Sequence, residues 1–210
     1  MVAARTALAL SFLLVVTACS NSGSSATLSD TATGGGLISI PNQGGAMEGH
    51  TPTGFAGTGT GLFAGDNLNS SFPEGQGVQT YLTFALPADI TVVSARITSN
   101  ELETIGSPFE DLGLLLVEPV EYSSFGPEIF DLPALDSSVR CRVIGESSIE
   151  CDVTSAVQAA VIEGGDTVQF RLRFERPADN DGQPDLAMFF RSDSNTNESG
   201  LFDLTLTPIP

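Results

Sequence analysis

The chain has 210 residues, room for one domain with a sizeable core plus a tail, and its 22 Gly and 12 Pro suit a turn-rich all-β fold. It carries 26 Asp and Glu against eight Arg and no Lys, a net charge of −18. That balance excludes nucleic acid, since no basic stripe exists to displace phosphate counterions, and it argues equally against docking on anionic headgroups. Divalent cations, neutral sugars, basic partners, or simple solubility in a salty medium stay compatible.

Residues 1–18 read as an export signal. Arg5 supplies a positive start, and residues 7–16 form an apolar run too short to span a bilayer. Val16-Thr17-Ala18-Cys19 then resembles the bacterial lipobox. The resemblance implies a lipoprotein signal peptide, acylation of Cys19, and a membrane partner reached through that anchor. Each buried methylene of such chains contributes about 0.8 kcal/mol. Ser20 after the cysteine implies the outer membrane if the host is Gram-negative. Residues 19–36 are mostly Ser, Thr, Ala and Gly, which cannot bury enough apolar surface to offset ordering entropy, so they read as a tether. Residues 37–61 are a Gly-rich approach in which Leu37-Ile38-Ser39-Ile40 reads as an edge strand, with linker as the alternative.

The domain proper is expected at 62–207. Leu62-Phe63-Ala64 is a short apolar run closed by Gly65-Asp66-Asn67. Residues 80–86 place Leu82, Phe84 and Leu86 on one face, and residues 90–98 place Val93, Ala95 and Ile97 inward. Residues 112–120 are apolar on both faces and therefore central, up to Pro119. Residues 122–134 read as loop. Two β segments, 139–144 and 149–153, flank Gly145-Glu146-Ser147-Ser148 as a hairpin. Pairing Cys141 with Cys151 sets Val143 opposite Ile149, a self-consistent register for a disulfide in an exported protein. One helix follows, capped by Thr154 or Ser155, with Ala156, Val157, Ala160 and Val161 as its apolar stripe and Gly164-Gly165 at its end. Next, Val168, Phe170, Leu172 and Phe174 alternate without a fault against Gln169, Arg171 and Arg173, the mark of a half-buried antiparallel strand. Residues 186–190 and 201–206 supply the last strands. The expected architecture is an all-β, two-sheet jelly-roll β-sandwich with one short helix.

An ordered set of motifs carries a family resemblance. It runs through Gly65-Asp66, Tyr81-Leu82-Thr83-Phe84, Ser94-Ala95-Arg96-Ile97, Asp152-Val153-Thr154-Ser155-Ala156-Val157, Phe170-Arg171-Leu172 and Phe189-Phe190-Arg191-Ser192. In that order and spacing it resembles the DNRLRE-type jelly-roll domains of exported proteins, which are grouped with carbohydrate-binding modules. The resemblance covers about two thirds of the chain and implies a glycan or another cell-envelope component as ligand. Family members often carry Trp in mid-domain; this chain has none.

For chemistry, Asp179-Asn180-Asp181-Gly182-Gln183-Pro184-Asp185 has the alternating oxygen donors of a calcium loop, with Asp179, Asp181 and Asp185 as ligands of a structural Ca²⁺. The alternative is a plain loop in which Asp181-Gly182 supplies positive φ. Asp66, with Asn67 and Asn69, is a second, weaker oxygen cluster. Tyr122 is the one candidate stacking platform for a sugar. His50, the only histidine, reads as a solvated linker residue, and Glu118 and Glu121 as solvated carboxylates near a strand end. The expected function is a non-catalytic surface lipoprotein that binds glycan or another envelope component, with a structural or adhesive protein-binding module as the alternative and a carboxylate-dependent hydrolase behind both.

Overall fold

The computed structural model describes residues 36–55, 61–67, 77–190 and 200–209. Residues 1–18, which the sequence reads as an export signal, lie outside them, as do Cys19 and Asn69. In chain order the elements are β1 (Ile38–Pro41), β2 (Gln43–Glu48), β3 (Thr51–Phe55), β4 (Leu62–Asp66), β5 (Val78–Ala85), β6 (Val92–Ser99) and β7 (Leu102–Ile105). A single helical turn, α1 (Pro108–Asp111), precedes β8 (Leu115–Val120). Then come β9 (Val139–Arg140), β10 (Arg142–Ile144), β11 (Ser148–Asp152), helix α2 (Thr154–Ile162), β12 (Thr167–Phe174), β13 (Asp185–Phe189) and β14 (Asp203–Pro208). No helix among the described residues is long and apolar enough to cross a membrane.

The smaller sheet runs β1-β14-β6-β11-β10, and the larger contains β7-β13-β4-β5-β12-β8-β9, with the β2–β3 hairpin joined to β5. All pairings are antiparallel. Within them, β1-β14-β6-β11 faces β5-β12-β8-β9, the order that two interlocked Greek keys produce. The fold is a jelly-roll sandwich, with β2, β3, β4, β7, β10 and β13 as additions at its margins. Between the sheets lie Phe84, Phe170, Phe174, Phe189 and Phe202 with the aliphatic side chains that alternate on each strand.

The domain starts earlier than residue 62. β1 is the first strand of the jelly roll and pairs with β14. Asn42, buried beyond it, continues that ladder: its amide donates to the Phe202 carbonyl at 2.9 Å, and the Phe202 amide donates to its side-chain oxygen at 2.9 Å. The Gly-rich approach is likewise sheet, because ladder hydrogen bonds need only backbone. At Gly44, φ +150°, a Cβ would collide with the Tyr81 carbonyl, so glycine is what lets β2 lie along β5. Val93 is exposed rather than inward, because a register shift between Thr207 and Pro208 sets Pro208 opposite Val92, which is buried instead. The α2 cap also differs. Asp152 accepts from the Thr154 amide and hydroxyl (3.1 and 2.6 Å), while the Thr154 hydroxyl oxygen accepts from the Ala95 amide of β6 (3.0 Å). Those hydrogen bonds hold the Asp152 carboxyl below its ordinary range.

Candidate functional site

The larger sheet's outer face carries a dense polar arrangement. β12 points Arg171 and Arg173 outward, as its alternation predicts, but the face is not open to solvent. Register sets Arg171 opposite Glu118 of β8, and the segment after β8 folds back over both. A short 3-10 turn at Pro127–Ile129 begins that cover, and Ile129 and Phe130 form a minor core with Met47, Tyr81 and Val120. Glu118 is therefore 4% exposed rather than solvated, and Arg171 7%.

One carboxylate here serves two guanidinium groups. Arg171 donates from Nε (2.9 Å) and Nη2 (2.6 Å) to Glu118 Oε2, and its Nη1 donates to the Phe130 and Leu132 carbonyls at 3.2 and 2.8 Å. Arg173 donates from Nε to Oε2 (2.9 Å) and from Nη2 to Oε1 (2.6 Å), with its Nη1 on the Phe174 carbonyl (3.0 Å). Burial pushes the Glu118 carboxyl up, but hydrogen bonds from Arg173 and Arg171 outweigh it and hold the group below the ordinary range. Burial raises the Tyr81 phenol well above its usual value, so it stays neutral at the edge of this network. Beside it opens a cavity of about 320 Å³ whose walls include Gln79, Asp131, Arg171, Arg173 and Arg176.

A second polar cluster sits where β13 begins. The Asp111, Asp179 and Asp185 carboxylates each place an oxygen within 4.8 Å of the others. Asp185 is 2% exposed and accepts from the Ser107 amide. The turn approaches so closely because residue 106 is Gly, at φ +66°, where a Cβ would strike the Asp185 carboxylate and the Pro184 carbonyl. Partial burial, and then the charges of Asp185 and Asp179, push the Asp111 carboxyl up.

Of the expected calcium ligands, Asp179 and Asp185 converge, but Asp181 does not join them. Its carboxylate accepts from the Gln183 amide at 2.6 Å, as Asp179 does from the Asp181 amide at 3.1 Å, so both brace the loop. Asp111, the third member, comes from α1, 68 residues before Asp179 and 74 before Asp185; sequence reasoning passed over it because local spacing cannot reveal a long-range partner. Asp66 pairs in register with Asp185 on the neighbouring strand and is buried. Tyr122 is half-buried rather than a free platform. Its hydroxyl bonds Thr83 at 2.9 Å, its ring meets Tyr81 edge-on, and burial raises its phenol. His50 sits at the β2–β3 turn, not in a linker, with Nε2 2.7 Å from Asp131 Oδ2 and its ring tilted over Phe130. Cys141 and Cys151 form the expected disulfide, and Val143 faces Ile149.

No protein-family model matches this chain. A search of curated proteins finds no match either.

A second concave surface among the described residues lies where β12 begins. A groove of about 540 Å³ runs between α2 and the start of β12, edged by Glu121, Asp136, Glu163, Asp166 and Gln169 over a floor that includes Ala160. Small residues leave this groove open; the acids and one amide give it hydrogen-bond acceptors along its length.

Proposed function

We propose that this protein is a lipid-anchored envelope protein whose jelly-roll domain is a non-catalytic binding module for a neutral glycan or another envelope component. The observation that supports it best is the groove between α2 and β12: carboxylates and an amide face a shallow apolar floor, the complement of hydroxyls on a sugar's rim. The lipobox-like Cys19 and the resemblance to DNRLRE-type domains support the same reading. A glycan array probed with the full chain in nonionic detergent, with and without calcium, should retain neutral oligosaccharides. Glu163→Ala with Asp166→Ala should abolish that retention, and no retention on any glycan would defeat the glycan reading. Cys19→Ala should shift the protein out of the membrane fraction; unchanged sedimentation with membranes would remove the anchor.

A protein-binding, adhesive role is the second reading. Ile162 is 84% exposed beside groove-lining Glu163, and Leu135, which lines the groove, is 63% exposed. Turnover of a polysaccharide would instead point to a hydrolase.

Within this reading the three-carboxylate cluster holds a structural Ca²⁺, for which clustered hard oxygen donors are suited. Removing calcium with EDTA should then lower the melting midpoint, and excess Ca²⁺ should restore it. Binding at a hundred times Kd adds about 2.7 kcal/mol. Asp111→Asn should remove the calcium dependence, while an identical midpoint with EDTA and with Ca²⁺ would end the proposal.

A further inference from the structure

We propose that the cavity beside Arg173 and Arg176 is an anion site for a ligand-borne carboxylate, and that its size suits a single hexuronate ring. This site is separate from the α2–β12 groove and does not depend on the glycan reading of that groove.

Three observations carry it. The first is charge. Two guanidinium groups share the single Glu118 carboxylate, and the exposed Arg176 adds a third cation to the same walls. Asp131, also in the wall, has its Oδ2 on His50. Arg171, Arg173 and Arg176 against Glu118 and Asp131 leave about one positive charge in excess, in a chain whose net charge is −18. Arg176 is exposed and the Arg173 side chain is 29% exposed, so that excess charge is open to a monoanion, which can pair with both guanidinium groups.

The second is the donor inventory. A guanidinium offers five N–H groups in a planar fork. Arg171 commits four and Arg173 three to the contacts already described, and no described residue pairs with the Arg176 side chain. The uncommitted N–H groups of Arg173 and Arg176 belong to side chains that line one space. A planar carboxylate accepting from two such forks makes charge-assisted hydrogen bonds of the stronger kind.

The third is volume and lining. About 320 Å³ lies at the small end of ligand cavities, enough for one ring but not for an oligomer. Gln79 adds an amide for hydroxyls, and Leu132 supplies apolar wall for ring carbons. A phosphate dianion would exceed the local positive charge, so the balance favours a monocarboxylate.

The test titrates the full chain, in nonionic detergent, with galacturonate, galactose, galacturonate methyl ester, acetate and inorganic phosphate. Nuclear magnetic resonance shifts of the Arg side-chain Nε–H signals report on the site. Galacturonate should bind and shift Arg173 and Arg176, while galactose and the methyl ester should not. Arg176→Gln should weaken galacturonate at least about tenfold, the loss of one charge-assisted contact, with an unchanged melting midpoint because Arg176 is exposed. Undetectable galacturonate binding, equal affinity in Arg176→Gln, or equal binding of the methyl ester would each overturn the site. Acetate binding as tightly as galacturonate would overturn the sugar component, and tighter phosphate binding would overturn the carboxylate assignment.

Discussion

Glu118→Gln should lower the stability of the domain by about 3–5 kcal/mol, the cost of removing one partner from a buried ion pair. The reason is local. Glu118 is 4% exposed, and its two oxygens receive four hydrogen bonds from Arg171 and Arg173. A neutral amide turns one of those acceptors into a donor and leaves two cations beneath the 129–132 cover. Urea denaturation of the two proteins at neutral pH measures the difference; equal midpoints would mean that the network is incidental to stability.

The same pair predicts a pH dependence with a definite sign. The folded-state Glu118 carboxyl lies below its ordinary value, so its contribution is fully present above the unfolded value of about 4.3. It is lost as pH falls through the folded value, when the carboxylate takes up its proton. The gap between the native protein and Glu118→Gln should therefore be widest near neutrality and close in acid. A gap that widens on acidification would contradict the assignment of Glu118 as the ionised centre. Arg173→Gln should cost less than Arg171→Gln, because the Arg173 side chain is 29% exposed against 9%.

Removing the disulfide has the second large effect. A double Cys141→Ala, Cys151→Ala variant should lose about 3 kcal/mol by loop-closure entropy, or about 6–12 °C in melting midpoint for a domain of this size. Its position makes the loss consequential. β9 pairs with β8 in the larger sheet and β10 with β11 in the smaller, so Cys141 sits where the chain crosses between layers. Cys151 lies on β11, opposite Ile97 in the smaller sheet. The bond therefore ties the crossing segment to one layer. Melting with and without a thiol reductant should show the same difference as the variant; a midpoint insensitive to reductant would show that packing alone holds the crossover.

Some of this was open to inspection before any coordinates. The alternation on 168–174 sorts inward from outward residues correctly, because a strand's period of two follows from its backbone alone. The cysteine pair and its register follow from hairpin geometry for the same reason: both partners lie within a dozen residues. A composition rich in Gly and Pro pointed to the all-β class that the two sheets display. Every one of these inferences is local or global, and none needs to know which distant segments meet.

What distant segments do meet was decided only in three dimensions. Arg171 and Glu118 look like two solvated side chains on separate strands until β8 and β12 pair and residues 129–132 close over them. Asp111 joins Asp179 and Asp185 across a long sequence gap, while Asp181, between the latter two in sequence, turns to its own loop. The glycines of 43–55 read as linker because side-chain pattern is silent where the ladder is made by backbone, and β2 lies along β5 only because Gly44 has no Cβ. Periodicity states which face a residue takes; burial, charge pairing and cavities depend on what the rest of the chain lays against that face.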